Sequence, residues 1–133
     1  MDMTIEKLEA YKGLTSEMKA LSQQITSLYD TYRSPQFMNN GSHSMSASNP
    51  TESAVEKILN LKELYSKKYE EALDLLAEVE SWLSTVDDVE IRSICRHHYI
   101  LNKSWQQTSA IVYGYPSYYN ARKRVMRYFG REK

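Results

Sequence analysis

Between residues 4 and 33 the apolar side chains Leu14, Met18, Leu21, Ile25, Leu28 and Tyr32 recur at alternating intervals of four and three residues. That alternation lines them along one seam of an α-helix. Ile5, Leu8 and Tyr11 carry the apolar face toward the N-terminus less regularly, and Gly13 weakens the helix there by about 1 kcal/mol relative to alanine. A second seam, Ile58, Tyr65, Tyr69, Ala72, Leu76, Val79, Leu83 and Val86, predicts another long helix from about residue 52 to 86, with Lys62 its one polar intruder. Two arms of about 30 residues rise about 45 Å each, and an antiparallel hairpin is the economical way to pair them. Leu61, Leu64, Leu73 and Leu75 widen the stripe of the second arm, which calls for one further partner: the C-terminal part of the chain or a second copy. Residues 34–52 between the arms are rich in Ser, Asn, Gly and Pro without a sustained period, and predict a polar loop. At about 20 residues it is long for a compact domain.

The remaining pattern predicts three shorter helices. From Asp88 to Leu101, Ile91, Ile94, Cys95, His98 and Leu101 share a side, and Asp87 or Asp88 suits the N-cap. Ser104 and Gln107 form a capping-box pair for a short helix that stops at Gly114. Pro116, tolerated in a first turn, opens a last helix to about Phe129. Short helix, tight turn and second helix have helix-turn-helix spacing. On the last helix Tyr118, Ala121, Val125, Tyr128 and Phe129 form the expected core face. The opposite side carries Ser117, Tyr119, Asn120, Lys123, Arg124 and Arg127. Cations there neutralise phosphates, and Arg and Asn read purine edges. Gln106 and Gln107 beside the turn are further donors to phosphate. The plain alternative is a solvated helix whose cations favour the negative end of its dipole.

Charge sharpens the contrast between the two readings. The net charge is zero, yet 8 Lys and Arg face 16 Asp and Glu up to Ile91, and 9 face 1 from Arg92 onward. A basic tail of this kind is expected to meet a polyanion, and the acidic part to meet protein or water. The single cysteine, Cys95, excludes an intrachain disulfide. The N-terminal charges alternate and no apolar run approaches about 18 residues, so a cytoplasmic protein with no membrane segment is expected. Cys95, His97 and His98 lack the second ligand pair that a structural zinc site needs, and His43 has no assignable partner. No phosphate loop, nucleophile elbow or paired-histidine zinc motif occurs, so no enzyme and no cofactor are expected. Trp82 and Trp105 are expected to be structural anchors.

The stretch VDDVEIRSICRHHYILNKSWQQTSAIVYGY, residues 86–115, resembles sigma-factor region 4-like helix-turn-helices, in particular the ArpU and RinA-like regulators of phages of Gram-positive bacteria. There an Arg-rich helix ending in a Tyr-Ile or Tyr-Leu pair precedes Ser-Trp and a helix closed by Gly-Tyr. A related phage family also begins with a helix, a polar loop and a second long helix, entered here by NPTESAVEKILNL. Thr108 and Ser109 stand where an aliphatic residue and an alanine are usual, Tyr113 is an extra residue before Gly114, and Pro116 takes the usual serine cap position. The resemblance implies transcription activation of phage late genes or a similar regulatory role, with the helix after Gly114 as DNA reader.

Together these readings set an all-α expectation: a long antiparallel hairpin over 1–86, with its loop at about 34–52, followed by a three-helix helix-turn-helix module over 87–133. The expected partner is double-stranded DNA, met by Gln106, Gln107, Ser117, Tyr119, Asn120, Lys123, Arg124 and Arg127 in the cytoplasm of a bacterial host. The hairpin is expected to form a homodimer or higher oligomer, or to touch RNA polymerase or another host protein. Two other readings remain: an interaction protein whose hairpin modulates another protein, and a small terminase-like DNA-packaging subunit.

Overall fold

The computed structural model describes residues 2–33 and 48–131. Among these residues every regular element is helical: α1 (Ile5–Arg33), α2 (Ser48–Leu83), α3 (Val89–Cys95), α4 (Trp105–Tyr113) and α5 (Asn120–Tyr128). The all-α expectation is met. α1 runs unbroken through Gly13, and the Thr4 hydroxyl accepts from the Lys7 N–H at 3.2 Å to cap it. α2 begins at Ser48, earlier than the expected residue 52, because Pro50 falls in the first turn, where an N–H has no helical partner to lose. Most of the expected loop, residues 34–47 with His43, lies outside the described residues.

The chain divides into two compact units: residues 1–16 with 71–133, and residues 17–70. The division differs from a boundary at residue 86, because the start of α1 and the end of α2 belong with the three short helices. Fewer than about 50 residues enclose little apolar surface by themselves. Met3 and Leu8 from the α1 end, with Val79 and Leu83 from α2, therefore join Val86, Ile91, Ile94, Cys95, Tyr99, Ala121 and Val125 in one core. Trp82 packs its indole on Phe129 and edge-on to Tyr128, at 5.6 and 6.4 Å between ring centres. An ion pair from Lys7 to Glu78 at 3.0 Å runs along the outside.

In the unit of residues 17–70, α1 and α2 run antiparallel. Glu17 pairs with Lys68 at 3.3 Å, and further along Lys62 donates to the Tyr29 hydroxyl at 2.7 Å. Leu21, Ala54 and Ile58 are buried between the helices, with Ile25, Leu28, Leu61 and Tyr65 half-buried beside them. Lys62, the polar intruder of the second seam, thus covers an aromatic ring, its ammonium 5.0 Å from the centre.

α3 departs from the pattern at its end. Asp88 caps it, accepting from the N–H groups of Glu90 and Ile91. After Cys95 the chain widens into a π-helical turn, Arg96–Ile100, closed by Leu101 N–H donating to the Arg96 carbonyl at 2.9 Å. The wider turn advances the register, so Tyr99 is fully buried and Leu101, expected in the core, is exposed. Asn102 then takes a left-handed conformation at φ 60°, and Lys103 N–H returns to the His97 carbonyl. The Lys12 ammonium gathers the loose ends, donating to Asn102 Oδ1 at 2.6 Å and to the carbonyls of His98 and Lys103 at 3.1 and 3.3 Å.

Cys95 is buried and its thiol is pushed up to about 12 by desolvation, which keeps it protonated and unreactive. His98 lies flat on Trp105, ring centres 3.5 Å apart, and donates from Nδ1 to the Lys103 carbonyl at 2.7 Å. Burial, then the nearby Lys12 ammonium, lower its pKa to about 4, against a smaller opposing effect of that hydrogen bond. A histidine whose folded pKa lies below its unfolded value of about 6.5 stabilises fully above that value, and loses the contribution as pH falls through the folded pKa. The urea midpoint should therefore decline between about pH 6.5 and pH 4, and His98→Phe should flatten that part of the profile. Thr108 is fully buried with its hydroxyl unpartnered among the described residues. Thr108→Val, which removes the orphan group at constant shape, should leave stability unchanged or raise it by about 1 kcal/mol in the same urea titration.

Candidate nucleic-acid interface

α4 and α5 form the helix-turn-helix pair. The Ser104 hydroxyl accepts from Gln107 N–H at 3.0 Å, and the Gln107 side-chain oxygen accepts from Ser104 N–H at 2.9 Å, completing the expected capping box. Gly114 ends the helix at φ 89°, a conformation that costs a residue without a Cβ little. Small side chains let α5 approach: Ser109, fully buried, accepts from the Ala121 N–H at 3.2 Å, and Ala121 and Val125 are fully buried.

The second helix is shorter than expected. Instead of opening at Pro116 it begins at Asn120, and the turn spans residues 114–119. Before it the Ser117 hydroxyl accepts from the N–H groups of Tyr119 and Asn120, both at 3.2 Å, and holds this stretch in a turn. Tyr118 consequently precedes the helix and escapes its wheel: it is 50% exposed rather than core. Tyr128, also assigned to the core, is exposed at the helix end, with its ring edge against Trp82. Phe129 is partly buried as expected.

The candidate contact residues fall into two groups. Tyr119, Lys123 and Arg127 follow at intervals of four along one side of α5, all exposed, and neither cation has an ion pair to a described residue. Asn120 lies beside them with its amide donating to the Tyr115 hydroxyl at 2.8 Å. Gln106 is exposed at the start of α4. The others are engaged in the fold: Ser117 in the turn before α5, Gln107 in the capping box of α4, and Arg124 as a clasp.

Arg124 sits at the margin of the core face, where its guanidinium meets Asp88 and, through Nε, Glu90 at 3.2 Å. Glu90 also accepts from the Tyr113 hydroxyl, whose pKa is raised by burial and by that carboxylate. The Asp88 carboxyl is held below its ordinary range by the N–H groups it caps and by Arg124. One network therefore ties α3, α4 and α5. Arg124 and Asp88 lie 36 positions apart in sequence, and no local spacing announces them.

Other cations of the tail are likewise engaged. Arg96 pairs with Glu80 through two nitrogens at 2.8 and 3.1 Å, Arg131 with Glu6, and Arg92 donates to the Val86 carbonyl at 2.7 Å. Each compact unit holds as many acidic as basic residues, 11 of each in the larger and 6 of each in the smaller. The charge asymmetry along the sequence is thus largely folded upon itself, and the exposed cations of α5 without an ion pair to a described residue are Lys123 and Arg127, with Arg122 half-buried beside them.

Beside the start of α4 lies a groove of about 660 Å³ whose walls include Glu9, Lys12 and Ser16 from α1, Trp105 and Gln106 from α4, and Tyr118 from the turn. No local spacing announces it, because it joins α1 to residues some 90 positions away. No group of three or more His, Cys, Asp or Glu among the described residues is placed to hold a metal ion. No described helix is long and apolar enough to cross a membrane. No protein-family model, curated protein or solved structure matches the chain.

Arg124→Ala should lower stability by about 1–2 kcal/mol in urea unfolding, since it removes two part-exposed pairs and leaves two carboxylates facing each other. Lys123→Ala and Arg127→Ala, whose side chains support nothing, should each stay within about 0.5 kcal/mol of the parent.

Proposed function

We propose that this protein binds double-stranded DNA, without catalysis or cofactor, by laying α5 in the major groove. The observation that carries the reading is the exposed row Tyr119, Lys123 and Arg127, left free while Arg92, Arg96, Arg124 and Arg131 are tied within the fold. Unpaired cations on an exposed helix neutralise phosphates and release counterions, and Arg127 with Asn120 supplies donors for purine edges. The Arg124 clasp presents this face rigidly. Gln106 and Gln107, at the start of α4, suit the flanking backbone, with Gln107 limited to its amide nitrogen by the capping box.

The resemblance of residues 86–115 to phage regulators supports a role in transcription, in the cytoplasm of a bacterial host. Two copies of so small a reader would cover two half-sites. A second chain has a surface available on α2, where Val55, Leu59 and Tyr69 lie exposed. The same residues favour the second reading, a helical unit that binds another protein such as RNA polymerase.

A salt titration of affinity for duplex DNA separates the two. For the parent, log K should fall steeply and linearly with log salt. The double substitution Lys123→Ala with Arg127→Ala should flatten the slope by about 1.8, at about 0.9 for each phosphate no longer neutralised, and weaken binding at low salt at least ten-fold. Absence of binding at low salt, or a double variant that binds like the parent, would overturn the DNA reading and leave the protein-binding one.

A further inference from the structure

The groove beside α4 has a chemistry that the major-groove reading does not use. Two of its walls are aromatic. Trp105 is held by His98 stacked on it at 3.5 Å between ring centres and by Tyr99 edge-on at 5.8 Å, so its position is fixed by the core. Tyr118 stands across the turn, half-exposed, its ring edge-on to Tyr119 at 5.2 Å. Tyr119 in turn begins the row that leads to Lys123 and Arg127. The aromatic walls and the free cations of α5 thus belong to the same compact unit, linked through Tyr118 and Tyr119.

The polar lining selects the occupant. The Lys12 ammonium already serves three oxygen acceptors, and Glu9, exposed on the rim, repels a phosphate. Glu9 accepts from an amino group, and the Gln106 amide both donates and accepts. What fits is flat, aromatic, uncharged and polar at its edge, carried on a chain whose own negative charge stays outside against Lys123 and Arg127. A nucleobase on a phosphate backbone has each of these properties. In an intact duplex its faces are covered by neighbouring pairs, so only an unstacked base reaches the groove.

We propose that the groove walled by Trp105 and Tyr118 accepts a single unpaired nucleobase, so that the protein prefers DNA carrying an unstacked nucleotide to the fully paired duplex. The proposal rests on the reading of α5 as a DNA-contacting helix, and deepens it. Stacking on an exposed aromatic ring is tolerant of base identity, and the edge contacts of Glu9 and Gln106 favour bases with an exocyclic amino group over thymine.

The test uses the full chain and two otherwise identical duplexes, one fully paired and one with a single extra 2-aminopurine nucleotide bulged from one strand. Affinity is read by anisotropy and stacking by 2-aminopurine fluorescence. The bulged duplex should bind about ten-fold tighter, with its fluorescence quenched on binding. Tyr118→Ala should abolish both the preference and the quenching while keeping affinity for the paired duplex within about two-fold, and Tyr118→Phe should retain both. Because Tyr118 is exposed, circular dichroism and the urea midpoint of Tyr118→Ala should match the parent. Equal affinity for the two duplexes, or a preference that survives Tyr118→Ala, overturns the proposal while paired-duplex binding still supports the reading of α5. Binding of the bulged duplex alone, lost in Tyr118→Ala, supports the groove and overturns the major-groove reading.

Discussion

The constraint behind this structure is that three short helices cannot close a core by themselves. The segment from α3 to α5 buries Ile91, Ile94, Cys95, Tyr99, Ala121 and Val125, and the interior is completed only by Met3 and Leu8 from the α1 end and by Val79 and Leu83 from α2. Once the two long helices are required as walls, much else follows. The end of α3 must meet α1, and the Lys12 ammonium does so at the point where the π-helical turn leaves carbonyls without helical partners. Trp82, near the end of α2, has to reach the last helix, which it does through Phe129 and Tyr128.

Electrostatics is subordinate to that packing. A basic tail folding against an acidic α2 end and α3 start pairs with it: Arg96 with Glu80, Arg124 with Asp88 and Glu90. Such part-exposed pairs contribute modestly to stability, but they fix which cations are consumed by the fold. What remains outward on α5 is a narrow row, oriented by helices that cannot rotate without breaking the network at Arg124.

Much of this architecture is legible in the chain. Seam periodicity marks α1 and α2, because an amphipathic helix records its buried side every three or four residues. Capping residues mark the starts of α3 and α4, because Asp88 and Ser104 act on N–H groups only two or three positions away. Legibility ends where a helix ceases to be regular or where partners are remote. The π-helical turn moves Leu101 outward and Tyr99 inward, and the turn held by Ser117 keeps Tyr118 outside α5. Of the candidate contact residues, Lys123 and Arg127 stand where the wheel puts them. Arg124 does not act as the wheel suggests because its partners lie on another helix, and pattern along one helix is silent about charge on its neighbour.

The larger compact unit is discontinuous in sequence, with residues 17–70 intervening between its two segments. Val125 belongs to the same core as Met3 and Leu8, and Arg131 reaches back to Glu6. On a ribosome, the first segment therefore emerges long before the surfaces it must cover exist. The core that Leu8 joins is complete only once Val125 has emerged, so assembly of the last three helices is a late event governed by closure between the two segments. Closure entropy grows only logarithmically with the length between them, so the number of residues intervening weighs little on that event. Chain length in this protein is a freer variable than chain order.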